Sequence, residues 1–310
     1  MIFARQIHAF SFATGLSTLF ARSRRGYRVI MFHGVGDTHM PVEAFEAGLR
    51  WMAERFDVVP LSRVVAGIEQ GRVPDARGEV ALTFDDGLAN HFEQAYPVLR
   101  RLGLPASFFV CPDLIDSRRW IWNQEARARL HRMTPVARRE FARAEAGLDA
   151  EDVERVVQRM KELPLADREH AEAALRQRTP AFAPTPQEHE SYDPLSWEQV
   201  RQLDPSLITI GSHTLSHPIL PTVDDVVLRH EVDESRRVLE DRLGRPVDLF
   251  CYPNGAHDER VYAQVLRSYG AAVTTNYGFA WPSSDLHRLM RIPASAHLPL
   301  MAWRMCRPNA

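Results

Sequence analysis

"LTFDDGLANH" (82–91) is the stretch on which the reading of this chain turns. An apolar, β-branched run ends in two adjacent carboxylates, Asp85 and Asp86, and Gly87 follows at once. Neighbouring acids repel each other. A solvated Asp-Gly turn would account for them, and so would a site that needs two negative charges. Side chains alternate faces along a strand, but a glycine turn at the strand end lets both carboxylates approach one cleft. A divalent cation there would offset their repulsion. One acid would ligate it, and the other would take a proton from the water it activates.

The surroundings of this stretch alternate between strand and helix. "YRVIMFHGVGD" (27–37) and "GEVALTFDDG" (78–87) read as buried strands, with a helical period over 41–56 between them. A helix over 91–103 stops at Gly103, and "PASFFVCP" (105–112) is a short strand. Residues 117–194 differ, being rich in Arg, Glu and Ala at helical spacing and then in Pro, which predicts a mainly helical insertion. The alternation resumes with a helix (195–203, N-cap Ser196) and a strand (207–213). A long helix (224–244, ending at Gly244), a strand (247–255), a helix (258–269) and strands at 271–275 and 289–295 follow. The pattern predicts an α/β architecture with parallel strands. The strands end in HG, DDG, GSH and YPNG, so polar residues collect where such folds place their chemistry.

Composition narrows the function classes. The 310 residues carry a formal net charge of -2, which gives no reason to expect nucleic acid as a partner. Cys111, Cys251 and Cys306 are too widely spaced for a disulfide framework or a paired-cysteine metal site. Lys161 is the only lysine, a bias that by itself implies nothing.

The second motif is "GSHTLSHP" (211–218). His213 and His217, four apart, would face the same way on a helical turn, and two imidazoles so spaced are half of a common metal site. Taken alone, the pair is equally a structural one. Together with a carboxylate from "TFDDG" it would make a His2Asp set with an open position for water.

"TFDDG", "HTLSHP" and "YPNG", in this order, resemble the first three motifs of the polysaccharide deacetylase family (carbohydrate esterase family 4, the NodB-homology domain). The resemblance covers about 27–116 and 195–295. It implies a distorted (β/α)7 barrel, with a helical insertion at about 117–194 in a domain spanning 27–310. The implied activity is metal-dependent hydrolysis of the N-acetyl group of an amino sugar, with O-acetyl esters, small amides or silent carbohydrate binding as alternatives. The resemblance makes Asp85 the base and Asp86, His213 and His217 the ligands of a divalent metal, most simply Zn2+, with Co2+, Ni2+ or Mn2+ as alternatives. Thr214 and Ser216 would orient the loop, and the Asn254 N–H would serve the oxyanion. Cys251 stands where the family usually has an arginine, and Arg291 in "LMRIP" is the candidate substitute. His33 is favoured as general acid over His297 and His287.

Other positions carry weaker expectations. His91 and His230 read as solvated or capping residues, and Cys111 as core. Trp120, Trp122 and Trp281 could pack or could stack on sugar. Residues 1–26 form an amphipathic segment in which Phe3, Ile7, Phe10, Leu16, Leu19 and Phe20 share one face, with Arg5, Arg22, Arg24 and Arg25 at the ends. It would pack on the domain or lie on a membrane. With no signal peptide read there, the expected substrate is a glycan or glycolipid precursor of a surface polysaccharide or lipopolysaccharide. The expected location is cytoplasmic, peripheral to the inner membrane.

Overall fold

The computed structural model describes residues 2–15 and 25–306. Seven strands carry the fold: β1 (Arg28–Phe32), β2 (Glu79–Phe84), β3 (Ala106–Val110), β4 (Ile208–Ser212), β5 (Leu249–Cys251), β6 (Ala271–Tyr277) and β7 (Leu289–Pro293). Each pairs in parallel with the next. β1 closes the ring by pairing with both β2 (Ile30 opposite Leu82) and β7 (Ile30 opposite Ile292). A short strand, Asp57–Val58, lies outside the ring on β2. The result is the expected (β/α)7 barrel.

β1, β2, β3 and β5 are buried on both faces. This is why they read as continuous apolar runs rather than alternating ones. Phe32, Phe84 and Phe108 stack towards one end of the barrel, with Phe45 of the helix Val42–Arg55 against the first two. Gly103 and Gly244 end their helices in the left-handed conformation. Ser196 caps Trp197–Gln202 in a reciprocal box with Gln199. The strand expected over 247–255 is only three residues long, because Pro253 and Asn254 turn the chain. The helices Leu61–Glu69 and Leu298–Cys306 have no counterpart in the sequence reading. Leu298, Met301, Ala302 and Met305 of the latter do have helical spacing.

Between β3 and β4 lie the helices Trp122–Arg132, Pro135–Ala146, Val153–Lys161, Leu165–Arg178 and Pro186–Tyr192. They share a core of their own around Leu130, Phe141, Val156, Met160 and Leu175.

The N-terminal helix, Ile2–Ala13, packs against the C-terminal one, but not through the expected face. Ser11 is buried, the His8 ring meets Trp303 and the Phe12 ring lies near Trp51. Ile7 and Phe10 point outwards, 44% and 65% exposed. Leu16, Leu19, Phe20, Arg22, Arg24 and the side chains of Phe3 and Arg5 lie outside the described residues. No helix among the described residues is long and apolar enough to cross a membrane.

Candidate active site

The adjacent acids occupy different surroundings because of the turn that follows β2. Asp86 and Gly87 both take left-handed backbone (φ 76° and 61°). A side chain at 87 would press on the Val110 backbone, 3.0 Å from its Cβ position. The turn sends Asp85 towards β7 and Asp86 towards the loop after β4.

Asp85 meets Arg291 in a two-pronged ion pair, Nη1–Oδ1 2.7 Å and Nη2–Oδ2 2.6 Å, with both side chains buried. Arg291 also donates from Nε to the Thr274 carbonyl, from Nη1 to Thr83 Oγ1 and from Nη2 to Cys251 Sγ. All five guanidinium N–H groups are thereby used, the condition under which a buried arginine is tolerable. Cys251 is small enough to let the guanidinium through. Burial raises the Asp85 carboxyl, but the charge and hydrogen bonds of Arg291 prevail and bring it down to about 2.

Asp86 Oδ1 lies 3.5 Å from Nε2 of both His213 and His217. The two rings are edge to face, 4.7 Å apart. A loop brings them together rather than the expected helical turn. His213 directly follows β4, and Thr214 and His217 have φ of 68° and 63°. Thr214 Oγ1 accepts from the His217 N–H. Glu231 accepts from the N–H groups of Leu215 and Ser216 and from the Ser216 hydroxyl. Glu231 was not a sequence candidate, since nothing in "LRHEVDE" marks it. A π-helical turn over His230–Glu234 sets it facing the loop.

These three residues fit a divalent ion. His213 donates its Nδ1–H to the Cys251 carbonyl (2.7 Å), which leaves Nε2, on the Asp86 side, as the atom that would ligate an ion in place of its proton. Nδ1 of His217 is buried without a hydrogen-bond partner. A tetrahedral ion with bonds of about 2.0–2.1 Å spaces its ligands about 3.3 Å apart, close to the 3.5 Å seen on both sides of Asp86. The three ligand atoms lie within 4.8 Å of one another. The cluster favours positive charge: burial lowers the His213 imidazole, yet the groups around it raise it well above the usual histidine range.

Asp86 of this cluster opens onto a cavity of about 1350 Å³, lined on one side by the barrel mouth and on the other by the helical insertion. That exceeds the roughly 300–1,000 Å³ of ordinary small-molecule pockets. Residues 72–274, more than half of the chain, match the polysaccharide deacetylase family.

The chain belongs to the polysaccharide deacetylase family.

Individual comparisons agree with this membership. YxkH of Bacillus subtilis (strain 168), named as a polysaccharide deacetylase, is 21% identical over 86% of this chain and 71% of its own. Two solved structures share the fold. The Streptococcus pyogenes deacetylase PplD, in complex with acetate, has TM-score 0.62 at 17% identity over 91% of this chain and 99% of its own. The Bacillus cereus polysaccharide deacetylase BC0361 has TM-score 0.59 at 17% identity over 90% and 69%.

In this family member the remaining candidates separate clearly. His33 and His297 are exposed and line the cavity. His287 is buried elsewhere, its Nε2–H donated to the Tyr269 carbonyl. Asn254 follows β5 with φ 57°, its carbonyl accepting from Thr275 Oγ1. His91 corrects the sequence expectation. It is fully buried between Phe84 and Phe108, and its Nε2–H goes to the His33 carbonyl. His230 is exposed and Cys111 is core, its S–H donated to the His213 carbonyl. Trp122 is buried in the insertion core, and Trp120 packs on Phe182, His189 and Tyr192. Trp281 is partly exposed beside Gly26, before β1, at the opposite end of the barrel.

Proposed function

We propose that the protein is a metal-dependent deacetylase that removes the N-acetyl group from an amino sugar of a surface polysaccharide, a lipopolysaccharide or their precursors. The observation that carries this reading is the division of labour between the two acids: Asp86 with the histidine pair, Asp85 with Arg291. Asp86, His213 and His217 would hold the ion, most simply zinc. When bound, a divalent ion of this kind supplies an activated water and polarises a carbonyl.

The chain's own groups do the rest. Arg291 keeps Asp85 ionised throughout the working pH range, so Asp85 is always free to accept a proton. A carboxylate with so low a pKa is a weak base, and it accepts a proton well only from a water made acidic. The Asn254 N–H offers hydrogen-bond donation to the oxyanion. His33, exposed in the cavity, delivers a proton to the leaving nitrogen, with His297 the other cavity histidine able to do so. The cavity suits an oligosaccharide or glycolipid headgroup better than one sugar.

The outward-facing Ile7 and Phe10 support a peripheral membrane location beside a lipid-linked precursor. Loss of vesicle binding in Ile7→Glu/Phe10→Glu would bear this out, and unchanged partitioning would remove it. For the reaction, the test is acetate release from N-acetylated oligosaccharides by the zinc-loaded wild type and Asp85→Asn. Release of one free amine per acetate, abolished in the variant, is expected. A variant that binds zinc and turns over normally overturns the assignment, and release of a hydroxyl instead of an amine redirects it to O-acetyl esters.

A further inference from the structure

The helical insertion places a lysine against the residues that follow β5. Lys161, the last residue of the helix Val153–Lys161 and the only lysine of the chain, donates from Nζ to the Asn254 side-chain oxygen at 2.8 Å. It is partly buried. Among the described residues it forms no ion pair.

Half-buried ammonium groups ordinarily have a carboxylate partner, because desolvating a charge is costly. Here the neighbouring charges are already satisfied. Arg127, which lines the cavity, is clamped by both oxygens of Glu154 (2.6 and 3.0 Å). Asp86, the other carboxylate that acts on Lys161, faces His213 and His217. The surplus charge at this edge of the site is therefore Lys161, and its one observed partner is a neutral amide oxygen on the residue next to the chemistry. Two of its three N–H bonds remain for something else. Burial and the nearby Arg127 also push the ammonium below the usual lysine range, against Glu154 and Asp86, so an added anion would be welcome.

We propose that Lys161 recognises an anionic group, a carboxylate or a phosphate, carried by the substrate next to the acetylated sugar, and that the insertion is thereby the element that selects charged glycans. The proposal builds on the deacetylase reading of the neighbouring metal-ligand cluster. It makes Lys161 a specificity residue and Asn254 the group that positions it.

The single lysine provides the test. Expression with 13Cε-lysine labels Lys161 as the one lysine signal and leaves its three N–H bonds intact. The zinc-loaded protein is titrated with three probes: neutral N-acetylglucosamine tetramer, a tetramer alternating N-acetylglucosamine with glucuronate, and N-acetylglucosamine 1-phosphate. The Lys161 signal should move with the glucuronate or the phosphate probe, which tells the two sources apart, and stay still with the neutral tetramer. Lys161→Met should weaken binding of the responding probe by about ten- to a hundredfold and leave the neutral tetramer unaffected, with Lys161→Arg largely restoring it. Any acetate release should change in KM rather than kcat. A signal that no anionic probe moves, or a Lys161→Met variant that loses kcat on the neutral tetramer, overturns the proposal and reduces Lys161 to a brace for Asn254. A shifted signal with no acetate released from any probe would instead count against the deacetylase reading and leave the anion site standing.

Discussion

Arg291 and Asp85, 206 residues apart, meet as a fully buried two-pronged ion pair across the barrel mouth. Removing one partner of such a pair leaves the other charge unmatched. Arg291→Met should lower stability by about 3–5 kcal/mol, whereas Arg291→Lys, which cannot reproduce the fork, should fall between it and wild type. Denaturant melts check both. Asp85→Asn/Arg291→Met, with no buried charge left at the pair, should recover much of the loss. An Arg291→Met variant as stable as wild type would show that the pair has no structural weight.

Glu231 organises the loop that carries His217 by accepting three hydrogen bonds from it. Glu231→Ala should loosen the loop that holds Thr214 and His217 in their left-handed conformations. The expected effect is a loss of zinc affinity of about ten- to a hundredfold, the usual cost of removing groups that orient ligands, with Glu231→Gln milder. Competition with a zinc chelator reads this directly. Circular dichroism of the variant should remain that of the folded barrel.

His91 makes folding pH-dependent. Burial lowers its imidazole to about 4, with the hydrogen bond to the His33 carbonyl and the Asp86 charge opposing. The folded value lies below the unfolded one of about 6.5. The unfolded chain therefore takes up the proton first as pH falls. The contribution is fully present above about pH 6.5 and is lost as pH drops towards 4, by about 3 kcal/mol in all. His91→Gln, neutral at every pH and still able to donate, should flatten this part of the stability profile. A slope between pH 7 and 4.5 identical in wild type and variant would assign the dependence to other groups.

Gly255 sets the position of Asn254. It has φ 69°, and a Cβ there would sit 2.0 Å from Thr275 Oγ1 and 2.7 Å from the Thr275 N atom. Gly255→Ala should cost about 1–3 kcal/mol from backbone strain and overpacking and displace Asn254 from its place beside Lys161. Melting temperature and the Lys161 signal should both change. Thr275→Ser keeps the hydroxyl and should change neither.

Local physics made much of this protein legible in one dimension. Strands buried on both faces must be continuously apolar, so β1, β2 and β3 stand out in the sequence, and glycines must end helices where the chain turns left-handed, as at Gly103 and Gly244. The acids before Gly87 and the two histidines of one loop are near neighbours along the chain, and so they form readable motifs. No local signal in "LMRIP" marks Arg291. The family resemblance points to it through Cys251, and the pairing exists because β7 closes the barrel against β1. His91 looked like a surface residue because helical spacing cannot say which face a π-helical turn will bury. Glu231 supports a loop 15 residues earlier, and Lys161 reaches Asn254 across 93 residues. Such contacts are set by how the elements pack, not by any periodicity in the chain. The sequence alone thus determined the alternation of strands and helices and the residues with metal-ligand chemistry, because these depend on neighbouring residues, while the barrel class came through the family resemblance. Which acid faces which partner, and what the insertion brings to the site, were decided only when barrel closure and packing brought distant side chains within hydrogen-bonding reach.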